Sequence, residues 1–400
     1  MRSAEIMETT ETYGAHNYHP LPVVISRAEG IWVEDCDGDK YMDMLSAYSA
    51  LNHGHRHPAI IQAMMDQLQK VTLTSRAFYN DQLGPLCEQL AVFCHMDMVL
   101  PMNTGAEAVE TALKTARKWG YRVKGVPEDQ AEIIACANNF HGRTVTIISF
   151  STESLYKKDF GPFTPGFQVI PYGDLDALTR AVTPRTVGFL VEPIQGEGGV
   201  IIPPDGYLKG AMDICRQNGV LLMMDEIQTG LCRTGKRFAC DYEDVQPDML
   251  IIGKALGGGV YPISAVVSDK EYLGLLQPGE HGSTFGGNPL ACAVARVALN
   301  VLVDDKLDER AFALGQYFMK GLRAIPSPHV KEIRGRGLLV GAELHSGARG
   351  ARRFCEALMQ KGLLCKETHE NVIRFAPPLI IEKPDLDWAL ERIHDVLTTL

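Results

Sequence analysis

The sequence lacks an excess of basic residues and lacks a long apolar run. Lysine and arginine total 39 against 49 aspartate and glutamate, which gives a net charge of -10. Nucleic-acid binders need a basic face that displaces counterions from phosphates, so nucleic acid is not an expected partner. The longest apolar run, near position 222, falls far short of the roughly 20 residues that cross a bilayer. We therefore expect no membrane partner.

Cysteines are few for the length and irregularly spaced. The ten cysteines among 400 residues form no CxxC pair. Reduced thiols are expected, with neither a metal site nor a disulfide framework. The first dozen residues contain three glutamates, one arginine and no apolar core, unlike a transit or signal peptide. The expected location is the cytoplasm, or a compartment whose leader has already been removed.

Compact apolar runs mark the middle of the chain. They cover residues 131–136, 186–191, 219–224 and 249–252, and polar residues or glycine follow each one. Such runs predict strands buried on both faces of a mainly parallel sheet that helices cover. A preceding helix is predicted over Gly105–Trp119, where Gly120 can end it.

The two ends of the chain have a different pattern. Residues 31–44 predict a hairpin with its turn at Asp37-Gly38. The last segment predicts a helix opened by Pro384 and Asp385, with an apolar stripe of Leu386, Leu390, Ile393, Leu397 and Leu400. Because 400 residues exceed the size of one growing core, we predict an α/β protein of two domains. The large one covers 51–295, and a smaller α+β domain combines 1–50 with 296–400.

Residues of suitable chemistry follow these predicted strands, where ligands bind in open α/β sheets. Asp225 follows GVLLMM, Lys254 follows MLII, and Gly105-Ala106 opens the predicted helix. A lysine amine, a carboxylate and a helix N-terminus are what an aldehyde cofactor of the pyridoxal type requires for its carbonyl, ring nitrogen and phosphate. Phe140 offers a flat face for the ring. Each residue alone has a structural explanation as a solvated charge, a cap or a core side chain, but the combination favours a cofactor site.

Two other nucleotide-binding patterns are not favoured. Residues 230–236 (GLCRTGK) have P-loop spacing, yet Arg237 stands where serine or threonine should bind magnesium. No GxGxxG follows the first strand of a βαβ unit, which argues against a nicotinamide oxidoreductase.

Longer motifs carry a resemblance to a known family. The segments NTGAEA, NNFHGRT, VEPIQGEGG, DEIQTGLCRTGK, GKALGGG and HGSTFGGNP resemble the subgroup III aminotransferases of fold type I, from about residue 14 to the C-terminus. Within that subgroup, YGAHNYHPLPV, SAYSALNHGH, TLTSRAFYN and IRFAPPL resemble the members that act on L-ornithine. The resemblance implies a fold type I transferase that uses pyridoxal 5'-phosphate. It also implies transfer of the δ-amino group of L-ornithine to 2-oxoglutarate, giving glutamate and glutamate 5-semialdehyde, which cyclises to pyrroline-5-carboxylate.

The resemblance also implies roles for single residues around the cofactor. Lys254 is implied to bind it covalently and to move protons, and Asp225 to contact its ring nitrogen. The other implied contacts are made by Gln228 with the ring hydroxyl, by Gly105 and Ala106 with the phosphate, and by Phe140 with the ring face. His141 follows Phe140 where some relatives have tryptophan, and it is included in the cofactor site. Ser283 and Thr284 are implied to reach the phosphate of a neighbouring subunit, which requires a homodimer with a shared active site.

The predicted substrate site has six residues. Tyr18 and Tyr48 are implied to hold the α-amino and α-carboxylate groups of ornithine. Arg143 and Arg374 are implied to hold the far carboxylate and the α-carboxylate of 2-oxoglutarate. Glu197 is expected to neutralise Arg374 while ornithine reacts, and Glu192 begins the same loop. Two alternatives remain: another ω-aminotransferase, acting on acetylornithine or 4-aminobutyrate, and a non-catalytic scaffold.

Overall fold

The computed structural model describes residues 2–400. Its strands are β1 (Ile25–Glu29), β2 (Trp32–Asp35), β3 (Lys40–Asp43), β4 (Met98–Met102), β5 (Glu132–Cys136), β6 (Phe167–Ile170), β7 (Thr186–Val191), β8 (Leu221–Asp225), β9 (Met249–Ile252), β10 (Ser264–Ser268), β11 (Val330–Arg336), β12 (Leu339–Leu344), β13 (Leu363–Leu364), β14 (Lys366–Thr368) and β15 (Val372–Phe375).

The α-helices are α1 (Ser3–Tyr13), α2 (Ser46–Ser49), α3 (Pro58–Leu68), α4 (Leu83–Cys94), α5 (Gly105–Trp119), α6 (Val145–Ser149), α7 (Ser154–Lys157), α8 (Leu175–Ala181), α9 (Tyr207–Gln217), α10 (Lys270–Leu273), α11 (Pro289–Asp304), α12 (Leu307–Arg323), α13 (Arg352–Gln360) and α14 (Lys383–Thr399). A π-helix covers Gly120–Lys124, and 3₁₀ helices cover Ala239–Glu243, Lys254–Gly257 and Ser346–Ala348. Among residues 2–400, no helix is both long and apolar enough to cross a membrane.

The central sheet has seven strands in the order β4-β10-β9-β8-β7-β5-β6. The pairs from β9 through β8, β7 and β5 to β6 are parallel, while β10 runs antiparallel to both of its neighbours. Every residue of β7, β8 and β9 is buried, because helices cover both faces. The predicted mainly parallel α/β sheet is therefore confirmed, and the four apolar runs correspond to β5, β7, β8 and β9.

Helix α5 has the predicted bounds with Gly120 as its C-cap, but the helical path does not stop there. Gly120 keeps right-handed helical dihedrals, and the chain continues as a π-helix until Gly125, which has a φ of 78°. The glycine at 120 serves close packing, because a Cβ there would lie 2.2 Å from Cγ1 of Val187 in β7. The turn out of the helix thus falls five residues later, at the glycine with the left-handed backbone.

Two smaller sheets flank the central one along the chain, in the orders β1-β2-β3-β13 and β11-β12-β15-β14. Strands β2 and β3 pair antiparallel around Asp37-Gly38, which confirms the predicted hairpin. Strand β13 pairs parallel with β3, so both ends of the chain contribute to one sheet. The domain boundaries at residues 50 and 295 stay a prediction.

The last helix, α14, buries most of its predicted stripe. Leu386, Ile393 and Leu397 are fully buried, and Pro384 lies in the first turn of the helix. Leu400 departs from the prediction, since it follows the last helical residue and is 42% exposed.

Candidate active site

A cavity opens at the carboxyl edge of the central sheet, next to the ends of β8 and β9. The residues that line it are Gly105, Ala106, Phe140, His141, Gly142, Glu192, Ile194, Glu197, Asp225, Ile227, Gln228, Thr229 and Lys254. Nine of the fifteen residues proposed from the sequence are in this set, so the structure brings together segments that are far apart in the chain. Four further lining residues were not predicted, namely Gly142, Ile194, Ile227 and Thr229. Each lies within a few positions of a predicted residue, but its residue type does not indicate a ligand site.

Lys254 follows strand β9, from which only Gly253 separates it. It begins a 3₁₀ turn with a φ of 45°, a left-handed conformation that is unusual for a residue with a side chain. Such strain tends to be retained at functional sites. Burial lowers the pKa of the Lys254 amine to about 8, even though Glu197 and Asp225 favour its charged form. The amine therefore loses its proton more easily than an exposed lysine, as a nucleophile must.

Asp225 is the last residue of β8 and is 5% exposed. Its Oδ2 lies 2.6 Å from Nδ1 of His141, and its Oδ1 accepts a hydrogen bond from the backbone of Ile227 at 3.1 Å. Burial disfavours a charged imidazole, but the hydrogen bond and charge of Asp225 outweigh it and raise the pKa of His141. His141, which also lines the cavity, thus holds the carboxylate in place. No sequence signal could reveal this contact, because the two residues are 84 positions apart.

The N-terminus of helix α5 forms another wall of the cavity. Thr104 caps the helix by accepting a hydrogen bond from the backbone of Glu107, whose carboxylate in turn accepts from the backbone of Thr104. The first N–H groups, those of Gly105 and Ala106, have no partner within a helix and are suited to an anion. A Cβ at Gly105 would lie 2.9 Å from Cδ1 of Ile227, which favours glycine at this position.

The segment after β5 also lines the cavity. Phe140 donates its backbone N–H to Oε2 of Glu192 at 3.0 Å. Burial raises the pKa of Glu192 to about 8, so this carboxyl group stays protonated more readily than a surface glutamate. Arg143 is exposed, and its guanidinium lies 4.2 Å from the ring centre of Tyr156 and 5.8 Å from that of Phe140.

An ion pair between the buried Arg374 and the half-buried Glu197 lies close to the lysine. Nη1 of Arg374, in β15, donates to Oε1 of Glu197 at 2.6 Å, and Nε2 of Gln228 donates to the same oxygen at 3.0 Å. Burial opposes ionisation of Glu197, but Arg374 and Lys254 outweigh it and lower its pKa to about 2. Gly196 permits this arrangement, since a Cβ there would lie 1.7 Å from Oε1 of Gln228. Within residues 2–400, Nε and Nη2 of Arg374 are buried and have no hydrogen-bond partner, which leaves donors free for an added carboxylate.

The other predicted residues lie around this cavity rather than in its wall. The ring of Tyr48 is 5.0 Å from the guanidinium of Arg374, while Tyr18 is 67% exposed. Oγ of Ser283 accepts a hydrogen bond from Nδ2 of Asn103 at 2.8 Å, and Thr284 beside it is exposed. These two residues therefore lie at the surface near the start of α5 and do not line the cavity of their own chain.

Comparison with known proteins identifies the class to which this fold and site belong. The family model of the class-III aminotransferases matches residues 13–397, and the chain belongs to that family. Its fold is that of the fold type I transferases, as the resemblance implied, and it is an aminotransferase that depends on pyridoxal 5'-phosphate.

Individual relatives narrow the comparison further. An ornithine aminotransferase of Brevibacillus brevis is 64% identical over 392 residues, which cover 98% of each chain. The crystal structure of the ornithine aminotransferase from Toxoplasma gondii ME49 has a TM-score of 0.98 and 49% identity, covering 99% of this chain and 95% of that one. An acetylornithine aminotransferase of Elizabethkingia anophelis has a TM-score of 0.91 and 46% identity, covering 99% of each.

The cavity fits the cofactor that this family uses. It combines a lysine whose pKa is lowered to about 8, a buried carboxylate at a strand end and a helix N-terminus with free N–H groups. These match the carbonyl, the ring nitrogen and the phosphate of pyridoxal 5'-phosphate, respectively.

Proposed function

We propose that this enzyme transfers the δ-amino group of L-ornithine to 2-oxoglutarate, giving glutamate and glutamate 5-semialdehyde, which cyclises to pyrroline-5-carboxylate. The observation that carries the proposal is the Glu197–Arg374 ion pair beside Tyr48. Its arrangement suits an enzyme that must accept a diamino acid and a dicarboxylic acid at one site. The 64% identity to an ornithine aminotransferase supports the same substrate.

The residues around the cofactor would divide the chemistry among them. When bound, pyridoxal 5'-phosphate supplies an aldehyde that takes up the amino group and a ring that withdraws electrons from the reacting carbon. Lys254 would hold it first and then, as a free amine, move a proton on and off that carbon. Asp225, fixed by His141, would keep the ring nitrogen protonated. Gln228 would contact the ring hydroxyl, Phe140 its face, and Gly105 and Ala106 the phosphate.

The two substrates pose opposite problems for one site. Ornithine reacts at its δ-amine, far from its α-carboxylate, whereas 2-oxoglutarate reacts beside a carboxylate. A bare Arg374 would attract the α-carboxylate of ornithine and favour reaction at the wrong amine. Glu197 would neutralise Arg374 while ornithine reacts, and the carboxylate of 2-oxoglutarate would then replace Glu197 on the free guanidinium donors.

The remaining predicted residues would bind the distal ends of the substrates. Tyr18 and Tyr48 would hold the α-amino and α-carboxylate groups of ornithine, and Arg143 the far carboxylate of 2-oxoglutarate. The carboxyl group of Glu192 accepts a hydrogen bond from the backbone N–H of Phe140. Glu192 would therefore act on the substrate site by holding the backbone at Phe140.

We also propose a homodimer in the cytoplasm, with Ser283 and Thr284 of each subunit contacting the cofactor phosphate of the other. Both residues lie at the surface near the start of α5, where a second chain could receive them. All ten cysteines are unpaired, which fits a reducing compartment.

Single-turnover spectra of the purified holoenzyme test the substrate. We expect ornithine to change the cofactor absorbance far faster than acetylornithine or 4-aminobutyrate, and mass spectrometry to find pyrroline-5-carboxylate. Lys254→Ala, the negative control, should show no catalytic turnover with any of them. Acetylornithine is the second candidate because of the 46% identity to an acetylornithine aminotransferase. A faster reaction with acetylornithine than with ornithine would contradict the proposal.

A further inference from the structure

Residues Ser46–Ser49, the short element α2, form one left-handed helical turn rather than a right-handed α-helix. Their φ angles are 52°, 46°, 61° and 70°, and none of them is glycine. Residues with a Cβ are disfavoured in this region and normally enter it singly. Four in succession need a surrounding structure that holds them there.

The carboxylate of Asp43 is the group that holds the start of this turn. Asp43 ends β3 and is 7% exposed. Its Oδ1 accepts hydrogen bonds from the backbone N–H groups of Leu45 and Ser46, both at 2.8 Å. Its Oδ2 lies 2.8 Å from Nε2 of His55, so the carboxylate is itself fixed. Bonds from two successive N–H groups to one charged oxygen are among the stronger ways to set a local backbone path.

The turn carries Tyr48 towards the ion pair of the active site. The ring of Tyr48 lies 5.0 Å from the guanidinium of Arg374. The carbonyl of Met44 accepts a hydrogen bond from the backbone of Ala376 at 2.7 Å, two residues beyond Arg374. The segment between Asp43 and Tyr48 is thus tied to the strand end that carries the arginine.

We propose that Asp43 is a positioning residue for substrate selection, because it holds the left-handed turn that sets Tyr48 against Arg374. This inference rests on the proposed function, in which Tyr48 binds the α-carboxylate end of ornithine. Without Asp43 the start of the turn is no longer fixed, and the ring of Tyr48 is no longer held beside the guanidinium of Arg374. Ornithine binding then weakens, whereas glutamate, which engages Arg374 directly, is affected much less.

Three variants of the holoenzyme separate this role from general stability. Asp43→Ala removes the acceptor, and Asp43→Asn keeps an Oδ1 acceptor for the two backbone donors. Asp35→Ala is the matched control: Asp35 is also 7% exposed, ends the neighbouring strand, and accepts from the backbone of Asp37 and Asp39 at 2.9 Å each.

We expect Asp43→Ala to raise KM for ornithine about tenfold or more, in line with lost hydrogen bonds to a charged group. The half-reaction with glutamate should change by less than about threefold, and Asp43→Asn and Asp35→Ala should remain near wild type for both substrates.

A second variant keeps the inference testable if Asp43→Ala does not fold. In Asp43→Ala/Ala47→Gly, glycine takes up a positive φ without a Cβ penalty but adopts other conformations as readily, so the turn is unstrained yet still lacks a fixed start. Ala47 is exposed, and the double variant should fold yet still have the raised KM for ornithine, because nothing fixes the turn. A wild-type KM in this variant, or equal losses with ornithine and glutamate, would overturn the role of Asp43.

Tyr48→Ile distinguishes failure of this inference from failure of the proposed function. If Tyr48→Ile raises KM for ornithine and Asp43→Ala does not, the role of Asp43 is wrong and the substrate assignment stands. If Tyr48→Ile leaves KM for ornithine unchanged, the assignment of Tyr48 is wrong, and the role of Asp43 is overturned with it.

Discussion

At the scale of single residues, burial and neighbouring charges shift the pKa values of the active-site groups. Lys254 provides a direct test, because burial lowers its pKa to about 8 from an ordinary value of 10.5. Only the neutral amine can attack an aldehyde, so the rate at which apoenzyme captures pyridoxal 5'-phosphate should rise with pH and reach half its maximum near 8. Stopped-flow absorbance measures this rate. Glu197 favours the charged amine, so Glu197→Gln should move the midpoint to lower pH. A midpoint near 10.5 would contradict the effect of burial.

The Glu197–Arg374 pair makes a second prediction at this scale. Glu197→Gln keeps the shape of the side chain but removes the charge that neutralises Arg374. A hydrogen bond to a charged group contributes about 1.5–3 kcal/mol, so the half-reaction with ornithine should slow about tenfold or more. The half-reaction with glutamate should be unchanged or faster, because its carboxylate no longer has to displace Glu197. Single-turnover spectra with each amino donor give both rates.

A matched control for Glu197→Gln lies in β14, the strand that pairs with the strand of Arg374. Glu367 in β14 pairs with Arg352 and Lys366 rather than with Arg374, so Glu367→Gln removes a carboxylate without touching the proposed switch. It should leave the ratio of the two half-reactions unchanged. Equal slowing of both half-reactions by Glu197→Gln would mean that the ion pair is only structural.

At the scale of secondary-structure elements, the backbones of three segments pack directly against one another. Glycine occupies the contact positions because a Cβ would not fit there. A Cβ on Gly315, inside α12, would lie 2.0 Å from the carbonyl oxygen of Gly337. A Cβ on Gly337, in the turn between β11 and β12, would lie 2.3 Å from the carbonyl carbon of Thr234. The P-loop-like segment 230–236 is therefore part of a packing junction, and Arg233 within it donates to the carbonyl oxygens of Leu338 and Pro377.

Gly315→Ala tests this junction. Alanine normally improves a helix interior by about 0.5–1 kcal/mol relative to glycine. Here the added methyl group meets backbone that cannot move aside, so we expect a loss of about 1–3 kcal/mol and a Tm lower by a few degrees. Gly347→Ala is the control, because a Cβ at that exposed position meets nothing within 4 Å. Calorimetry that finds the same Tm for both variants would contradict the close packing.

Elements defined by local patterns were predictable, and contacts across the chain were not. Apolar runs gave the buried strands, and the sequence placed Gly105-Ala106 at the start of α5. The left-handed turn at Ser46–Ser49 contains no glycine, so no local rule could predict it. The contact of His141 with Asp225 joins two strand ends 84 residues apart. Gly120 caps α5 as predicted, but its close packing against Val187 was not predictable, because Val187 lies in a distant strand.

At the scale of the whole molecule, one surface has the features of a subunit interface. The side chains of Phe78, Tyr79 and Phe285 are 72%, 103% and 48% exposed, respectively. Their segments adjoin each other, since Nδ2 of Asn80 donates to the carbonyl of Gly287 at 3.5 Å. Large apolar side chains grouped on a surface are typical of protein contacts. The same surface carries Ser283 and Thr284, which supports the proposed sharing of the active site.

Hybrid dimers test that sharing. A subunit with Lys254→Ala and a subunit with Ser283→Ala/Thr284→Ala can be co-expressed with different tags, and the hybrids purified through both tags. If Ser283 and Thr284 act in the neighbouring subunit, a two-fold symmetric hybrid contains one site with both defects and one intact site. Its activity should then be about half that of wild type, whereas each variant homodimer should be weak or inactive. If the two residues act within their own chain, each site of the hybrid has one defect and no activity is restored. A hybrid no more active than the mean of the two homodimers would therefore exclude the shared site, even if sedimentation shows a dimer.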